Sequence, residues 1–124
     1  MENGEILQIA LEQSARDCNC APSDFLWGQN ILVPFALKAG VRSYYKEPIA
    51  CHLVSYGSNI VASVQPEYME LVNAYLNQFE FFHCFETPNL HWLDSRLEAM
   101  GQKICFMAEY YLPDVERLRP INCD

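Results

Sequence analysis

The hydrophobic pattern in the middle of the chain predicts a β-hairpin followed by a helix. Residues 51–56 favour a strand, Gly57-Ser58-Asn59 supplies a turn, and residues 60–64 form a nearly unbroken apolar run. A strand that is apolar on both faces is usually covered on both, so strand 60–64 is expected at the centre of its sheet. Pro66 and Glu67 then favour a helix start, because proline suits the first helical position and an acid suits the positive end of the helix dipole.

Apolar residues that recur every three or four positions predict helices over 4–17, 66–79 and 88–100. Asn3 suits the cap of the first helix, and Gly101 suits the left-handed position that ends the third. The amphipathic face of the first helix is traced by Ile6, Leu7, Ile9, Ala10, Leu11 and Gln13.

Two further segments have strand patterns. Residues 31–35 are β-prone, but Pro34 cannot donate to a ladder, which predicts an edge strand. Residues 103–112 alternate over ten positions, which predicts a last strand. The chain is therefore expected to be a single α+β domain over 1–124, with helices packed on a mostly antiparallel sheet of the strands that contain Ile31, Cys51, Ile60 and Ile104.

Length and charge narrow the function classes. A chain of 124 residues with 51% hydrophobic composition supports one folded domain and argues against disorder. No apolar run approaches the roughly 20 residues of a membrane span, and the acidic start of the chain is unlike a signal peptide, so a soluble cytoplasmic protein is expected. A formal charge of −8, with the basic residues scattered singly, argues against nucleic-acid binding.

The six cysteines predict reduced thiols rather than a metal site or disulfides. Cys51, Cys84 and Cys105 stand in apolar sequence, which predicts burial. No pair of cysteines or histidines has the spacing of a zinc ribbon or knuckle, so no metal site is expected.

The segment 83–92 holds the densest set of polar side chains, at a loop that leads into a helix N-terminus. His83, Glu86 and His91 have the chemistry of general acids or bases. The alternative is structural: Glu86 caps the helix, His83 packs and His91 is solvated. Adjacent residues in an extended chain point to opposite sides, which argues against a dyad of His83 and Cys84.

Glu109 is the second candidate, because it lies inside the apolar pattern of the last predicted strand. If its face of the sheet is covered, the carboxylate needs a partner; if the face is open, it is an ordinary surface acid. We expect His83, Glu86 and Glu109 to line one concave surface, with Tyr110 or Tyr111 at its rim and no residue assigned a catalytic role.

Several long segments resemble the N-terminal region of a group of bacterial GNAT-family N-acetyltransferases. They are Tyr45-Lys46-Glu47-Pro48, residues 53–64, His83-Cys84-Phe85-Glu86-Thr87-Pro88-Asn89, Gly101-Gln102-Lys103 and Phe106-Met107-Ala108-Glu109-Tyr110. The resemblance implies a fold like half of a GNAT domain. It also implies that the acetyl-CoA-binding domain follows this chain, with the tail 118–124 starting the connection. The family's [RQ]-x-x-G-x-[GA] loop is missing from these residues, so acetyl-CoA is expected to bind the full-length protein and not this chain.

Two functions from different classes follow. In the first, which the resemblance implies, the chain is the non-catalytic N-terminal module of a GNAT-type N-acetyltransferase. Such a module shapes the pocket for a small-molecule or amine acceptor or contacts the downstream domain. Alternatively, it is a free-standing binding or interaction domain without catalysis. A weaker option is a small enzyme that uses His83, Glu86 or Glu109 directly.

Overall fold

A three-stranded sheet organises the chain, which we describe from a computed structural model for residues 1–43 and 49–119. The strands are β1 (Ile31–Pro34), β2 (Cys51–Val54) and β3 (Val61–Val64), in the order β1-β3-β2. The first segment of the GNAT resemblance and the last five residues of the expected tail lie outside the described ranges.

The predicted centre of the sheet is confirmed. All four residues of β3 are buried, and β1 and β2 flank it on either side. β2 and β3 pair antiparallel as the predicted hairpin, with Leu53 opposite Ala62. The expected edge position of β1 is confirmed as well.

The mostly antiparallel arrangement is only partly right, because β2 pairs antiparallel with β3 but β1 pairs parallel with it. Two hydrogen bonds set this direction at the start of both strands. The Ile31 N–H donates to the Ile60 carbonyl at 2.9 Å, and the Ile60 N–H donates to the Asn30 side chain at 2.8 Å. The result is a mixed sheet within an α+β domain.

Two helices cover one face of the sheet. A short 3₁₀ helix, Pro66–Tyr68, leads into α2 (Met69–Gln78), and α3 (Thr87–Glu98) follows after a loop. Their buried residues pack with Ile60, Ala62 and Val64, which share a face because alternate strand residues point the same way. The core on this side is completed by Tyr68, Val72, Tyr75, Leu76, Cys84, Leu93 and Leu97.

The opposite face is covered by α1 (Asn3–Cys18) and by a 3₁₀ helix, Pro22–Leu26. Here Leu11, Ala15, Cys18 and Phe25 pack with Val61. The predicted face of α1 is only partly right, because the buried residues come from its second half. Leu7 and Ile9 are 40% and 54% exposed.

Asn3 does not cap α1. Its side chain instead holds the far end of the chain, donating to the Asp114 carboxylate at 2.8 Å and accepting from the Val115 N–H at 2.9 Å. The residue at the N-cap position is Glu2, which makes no side-chain cap hydrogen bond.

The predicted last strand is wrong: residues 103–112 form no helix or strand, and we call this segment the strap. It is tied down at both ends, since the Ile104 N–H donates to the Asp94 carboxylate at 2.8 Å and Asn3 holds Asp114. The strap cannot pair with the outer edge of β1 at Pro34, because Pro34 has no N–H and its carbonyl already accepts from the Asn19 side chain.

Across residues 1–43 and 49–119, none of the helices combines the length and the apolar character that crossing a bilayer requires.

Candidate functional site

The loop before α3 places two of the predicted site residues against each other. His83 Nδ1 lies 2.6 Å from Glu86 Oε1, with both side chains about half exposed, at 48% and 52%. Asn89 donates from its side chain to the His83 carbonyl at 2.8 Å, and Phe82 lies beside the imidazole ring. A solvent-exposed ion pair of this kind contributes little to the stability of the fold. Its contacts order the loop that precedes α3.

The same loop does not contain a strand. A 3₁₀ helix, Phe81–His83, turns the chain so that the Cys84 side chain is fully buried while His83 stays exposed. The Tyr75 hydroxyl donates to the Cys84 carbonyl at 2.7 Å inside the core. This arrangement agrees with the expectation that the His83 imidazole and the Cys84 thiol point to different sides of the chain.

Glu109 and the two tyrosines lie on the strap. The Tyr111 hydroxyl donates to Glu109 Oε2 at 2.7 Å, and this hydrogen bond raises the pKa of Tyr111. The Tyr110 ring lies 5.9 Å from the Arg42 guanidinium. A contact between the side chains of residues 109 and 111 is what an extended chain produces, since alternate side chains share a face.

The structure therefore gives two separate polar pairs. No hydrogen bond or ion pair joins Glu109 to His83 or Glu86, although all three belong to the described residues. His91 is exposed on α3. A cleft of about 560 Å³ lies next to the loop, lined by Gly28, Gln29, Asn30, Leu76, Asn77, Phe79, Glu80, Phe81 and Phe82. None of the predicted residues lines that cleft, and their shared concave surface stays a prediction.

A buried charge in the last turn of α1 was missed by the sequence patterns. The Asp17 side chain has no solvent exposure and accepts from the backbone N–H of Arg42 at 3.0 Å and from its Nε at 2.5 Å. Gln13 donates to the same carboxylate at 3.1 Å. This pair ties α1 to the segment after β1 and has the character of a structural clamp.

Next to this clamp, Cys18 Sγ lies 3.6 Å from His52 Nδ1. Burial raises the pKa of the Cys18 thiol well above its usual range. Burial also lowers the pKa of His52 to about 4. A thiol that stays protonated beside a neutral imidazole is no nucleophile at neutral pH, so this contact is packing rather than a catalytic dyad.

Three further thiols of the described residues are shifted in the same direction. Burial raises the pKa of Cys20, Cys51 and Cys84 to about 11. The predicted burial of Cys105 is wrong, because this residue is exposed on the strap. Within 1–43 and 49–119, no group of three or more His, Cys, Asp or Glu side chains is arranged to hold a metal ion.

Asn59 is a second residue whose role the sequence did not reveal. It is only 1% exposed, and its amide donates to the carbonyls of Asp24 and Gln29, both at 2.8 Å. Asn59 thereby ties the hairpin turn to the 3₁₀ helix beneath α1. Its Oδ1 and the Ser63 hydroxyl are buried without a hydrogen-bond partner among the described residues.

The most unusual surface is the strap itself. Its large apolar side chains are exposed at two pairs of positions separated by Ala108 and Glu109, with Phe106 at 68%, Met107 at 57%, Tyr110 at 65% and Tyr111 at 84%. Single exposed apolar residues are normal in a folded protein, whereas several of them close together along the chain favour an interaction site.

Comparison with known proteins adds no relative: no family model, no curated protein and no solved structure matches the chain.

Proposed function

We propose that the chain is the non-catalytic N-terminal module of a cytoplasmic GNAT-type N-acetyltransferase, and that its strap contacts the acetyltransferase domain. The exposed apolar strap is the observation that carries the proposal. An acetyltransferase domain packed on Phe106, Met107 and Tyr110 removes from water the side chains that this chain leaves uncovered.

A non-catalytic role is supported by the state of the polar groups. His83 and Glu86 are occupied with each other, and Glu109 accepts from Tyr111. The Cys18 thiol beside His52 is buried, and burial raises its pKa so that it stays protonated at neutral pH. The role proposed for the exposed groups, His83, Glu86 and Glu109, is to bind or orient a partner.

The junction between β3 and its following helix supports the absence of a cofactor site in this chain. The Gln65 N–H donates to the Ala50 carbonyl, and the Gln65 side chain donates to the Ile49 carbonyl. Pro66 contributes no N–H at the helix start. A pyrophosphate is held by free N–H groups at such a junction, and few remain here.

In the full-length enzyme, acetyl-CoA binds the downstream domain and the acceptor is a small molecule or amine. We propose that Glu109, with Tyr110 and Tyr111 beside it, faces that domain or its acceptor. The Glu86 and His83 pair and the exposed His91 are the further candidates for this contact. Nucleic acid and membranes are not partners under this proposal, because the net charge is −8.

The proposal is tested first by the coding sequence that follows the Asp124 codon. An [RQ]-x-x-G-x-[GA] run after a strand-like segment supports it, and a stop codon refutes it. Calorimetric titration of this chain with acetyl-CoA should give no binding tighter than about 100 μM, or about −5.5 kcal/mol. Tighter binding means that the cofactor site lies here and the assigned role is wrong.

In the full-length enzyme, Glu109→Gln should change acceptor kinetics while leaving the fold intact. Glu98→Gln is the matched control, because Glu98 is an exposed acid at the end of α3. Equal kinetics for both variants and the unaltered enzyme would remove Glu109 from the acceptor site.

A free-standing interaction domain is the second candidate, and the same exposed strap favours it. The coding sequence distinguishes the two proposals. A stop codon directly after the Asp124 codon would refute the acetyltransferase module and would agree with a free-standing interaction domain.

A further inference from the structure

The cleft beside the loop before α3 has the size of a small-molecule site. It encloses about 560 Å³ and is lined by two segments that are distant in sequence, residues 28–30 before β1 and residues within 76–82. We call these segments the loop wall and the helix wall. Pockets for small ligands range from about 300 to 1,000 Å³, so the volume is sufficient.

The loop wall is held in place by the chain that leads into β3. The Asn59 side chain, which is 1% exposed, donates to the Gln29 carbonyl at 2.8 Å. The Asn30 side chain accepts from the Ile60 N–H at 2.8 Å. Both bonds join the loop wall to the hairpin just before the central strand, so this wall is already ordered in the folded chain.

Ring contacts and a buried thiol hold the helix wall. The Phe79 ring meets the fully buried Tyr75 ring edge-on, with centroids 5.4 Å apart. The Phe81 and Phe82 rings also meet edge-on, at 5.4 Å and 86°. The Cys84 thiol donates to the carbonyl of residue 80 at 3.5 Å. Because both walls are preformed, binding in the cleft costs little ordering entropy.

The lining combines aromatic rings with an acid. Phe79, Phe81 and Phe82 line the cleft together with Glu80, and among the described residues no Lys, Arg or His does. Glu80 is exposed, and within residues 1–43 and 49–119 its carboxylate joins no ion pair or hydrogen bond. Ring faces and a carboxylate both attract cations, and a net charge of −8 opposes anions. The cleft therefore favours a positively charged ligand.

The polar groups of the loop wall favour a cation without N–H groups. A primary ammonium ion brings three N–H donors, and each needs an acceptor when it leaves water. The Gln29 carbonyl and the Asn30 Oδ1 already accept hydrogen bonds from within the chain. A quaternary ammonium ion has no donor to satisfy, and its methyl groups pack on ring faces.

We propose that this cleft binds a small quaternary ammonium ion, with the charged group between the Glu80 carboxylate and the Phe81 and Phe82 rings. The inference goes beyond the proposed function and does not depend on it, because a quaternary nitrogen has no lone pair and is no acetyl acceptor. Glu80 and Phe82 are exposed, so water screens the contact. We expect a dissociation constant on the order of 1 mM.

Titration of the ¹⁵N-labelled 124-residue chain with choline, followed by NMR, tests the proposal. The amides of residues 28–30 and 76–82 should shift, and matched concentrations of NaCl should not shift them. The neutral isostere 3,3-dimethylbutan-1-ol, with carbon in place of the nitrogen, should bind at least about tenfold more weakly because it carries no charge. The proposal is overturned if choline gives no shifts in the cleft up to about 20 mM, or if the isostere binds as tightly.

The role of the acid is tested by Glu80→Gln. This variant should bind choline at least about fivefold more weakly and leave the affinity for the neutral isostere unchanged. Glu70→Gln is the matched control, because Glu70 is an exposed acid on α2 outside the lining, and it should bind choline like the parent. Unchanged choline affinity of Glu80→Gln overturns the proposed site.

The role of the rings is tested by Phe82→Ala, which should weaken choline binding about two- to fivefold. Ile9→Ala is its control, since Ile9 is an exposed apolar residue on α1. Equal choline affinity of both variants removes the Phe82 ring from the site and overturns the assigned geometry.

Ethanolamine, the primary analogue of choline, tests the choice of a quaternary ion. It should bind at least about threefold more weakly, because its N–H donors leave water without enough acceptors. Ethanolamine binding as tightly as choline, or more tightly, overturns the assignment and makes the cleft a site for primary amines.

Discussion

Replacing Asp17 by asparagine tests the buried clamp between the end of α1 and Arg42. The substitution keeps the shape of the side chain and one acceptor oxygen, but removes the charge that faces Arg42 and puts an N–H₂ group toward its Nε–H. Removing one partner of a fully buried ion pair costs about 3–5 kcal/mol. Since the Arg42 side chain is 37% exposed, water compensates in part, and we expect a loss of about 2–3 kcal/mol.

Urea denaturation followed by circular dichroism measures this loss. With a slope of about 2 kcal/mol per molar urea, the midpoint should fall by about 1–1.5 M. Glu12→Gln is the matched control, because Glu12 is an exposed acid on the same helix, and its effect should stay within about 0.5 kcal/mol. If Asp17→Asn also stays within about 0.5 kcal/mol, the carboxylate is not the clamp described here.

Three further outcomes follow from the core. Tyr75→Phe should cost about 1–2 kcal/mol in urea denaturation, because the buried Cys84 carbonyl loses its donor. Asn59→Ala should cost about 2 kcal/mol, since two carbonyls beneath the hairpin turn lose theirs; a loss below that of an exposed control such as Asn73→Ala would contradict it. Stability should also fall as pH drops from about 6.5 toward 4: burial lowers the folded pKa of His52 from 6.5 to about 4, so the unfolded chain binds more protons in that window. The loss is up to about 3 kcal/mol and should be smaller in His52→Gln, measured as urea midpoints at pH 7 and 4.5.

The helices and the hairpin were predictable because their signals are local. Pro66 and Pro88 stand at helix starts, and Gly101, with φ at 80°, follows the end of α3 as expected. The apolar run of β3 predicted a central strand, since only a strand covered on both faces tolerates it.

The strap was mispredicted because its pattern is local and its pairing is not. Alternation makes a segment competent to be a strand, but a strand also needs a neighbour with open backbone groups. The outer edge of β1 presents Pro34 and a carbonyl already bonded to Asn19, which no pattern within 103–112 reports.

The candidate site was predictable only in its local parts. The pairing of His83 with Glu86 lies within one turn of chain. The expectation that the Glu86 side chain caps the helix is wrong, because Glu86 stands at the N-cap position but makes no side-chain cap hydrogen bond. The contacts of Asp17 with Arg42 and of Cys18 with His52 join residues 25 and 34 positions apart, and only the fold brings them together.

Hydrogen–deuterium exchange tests the central claim, that the strap contacts a following acetyltransferase domain. The amides of 105–112 should exchange more slowly in the full-length protein than in this 124-residue chain, while the amides of β3 should be equally protected in both. Equal exchange of the strap amides in the two proteins would contradict the account.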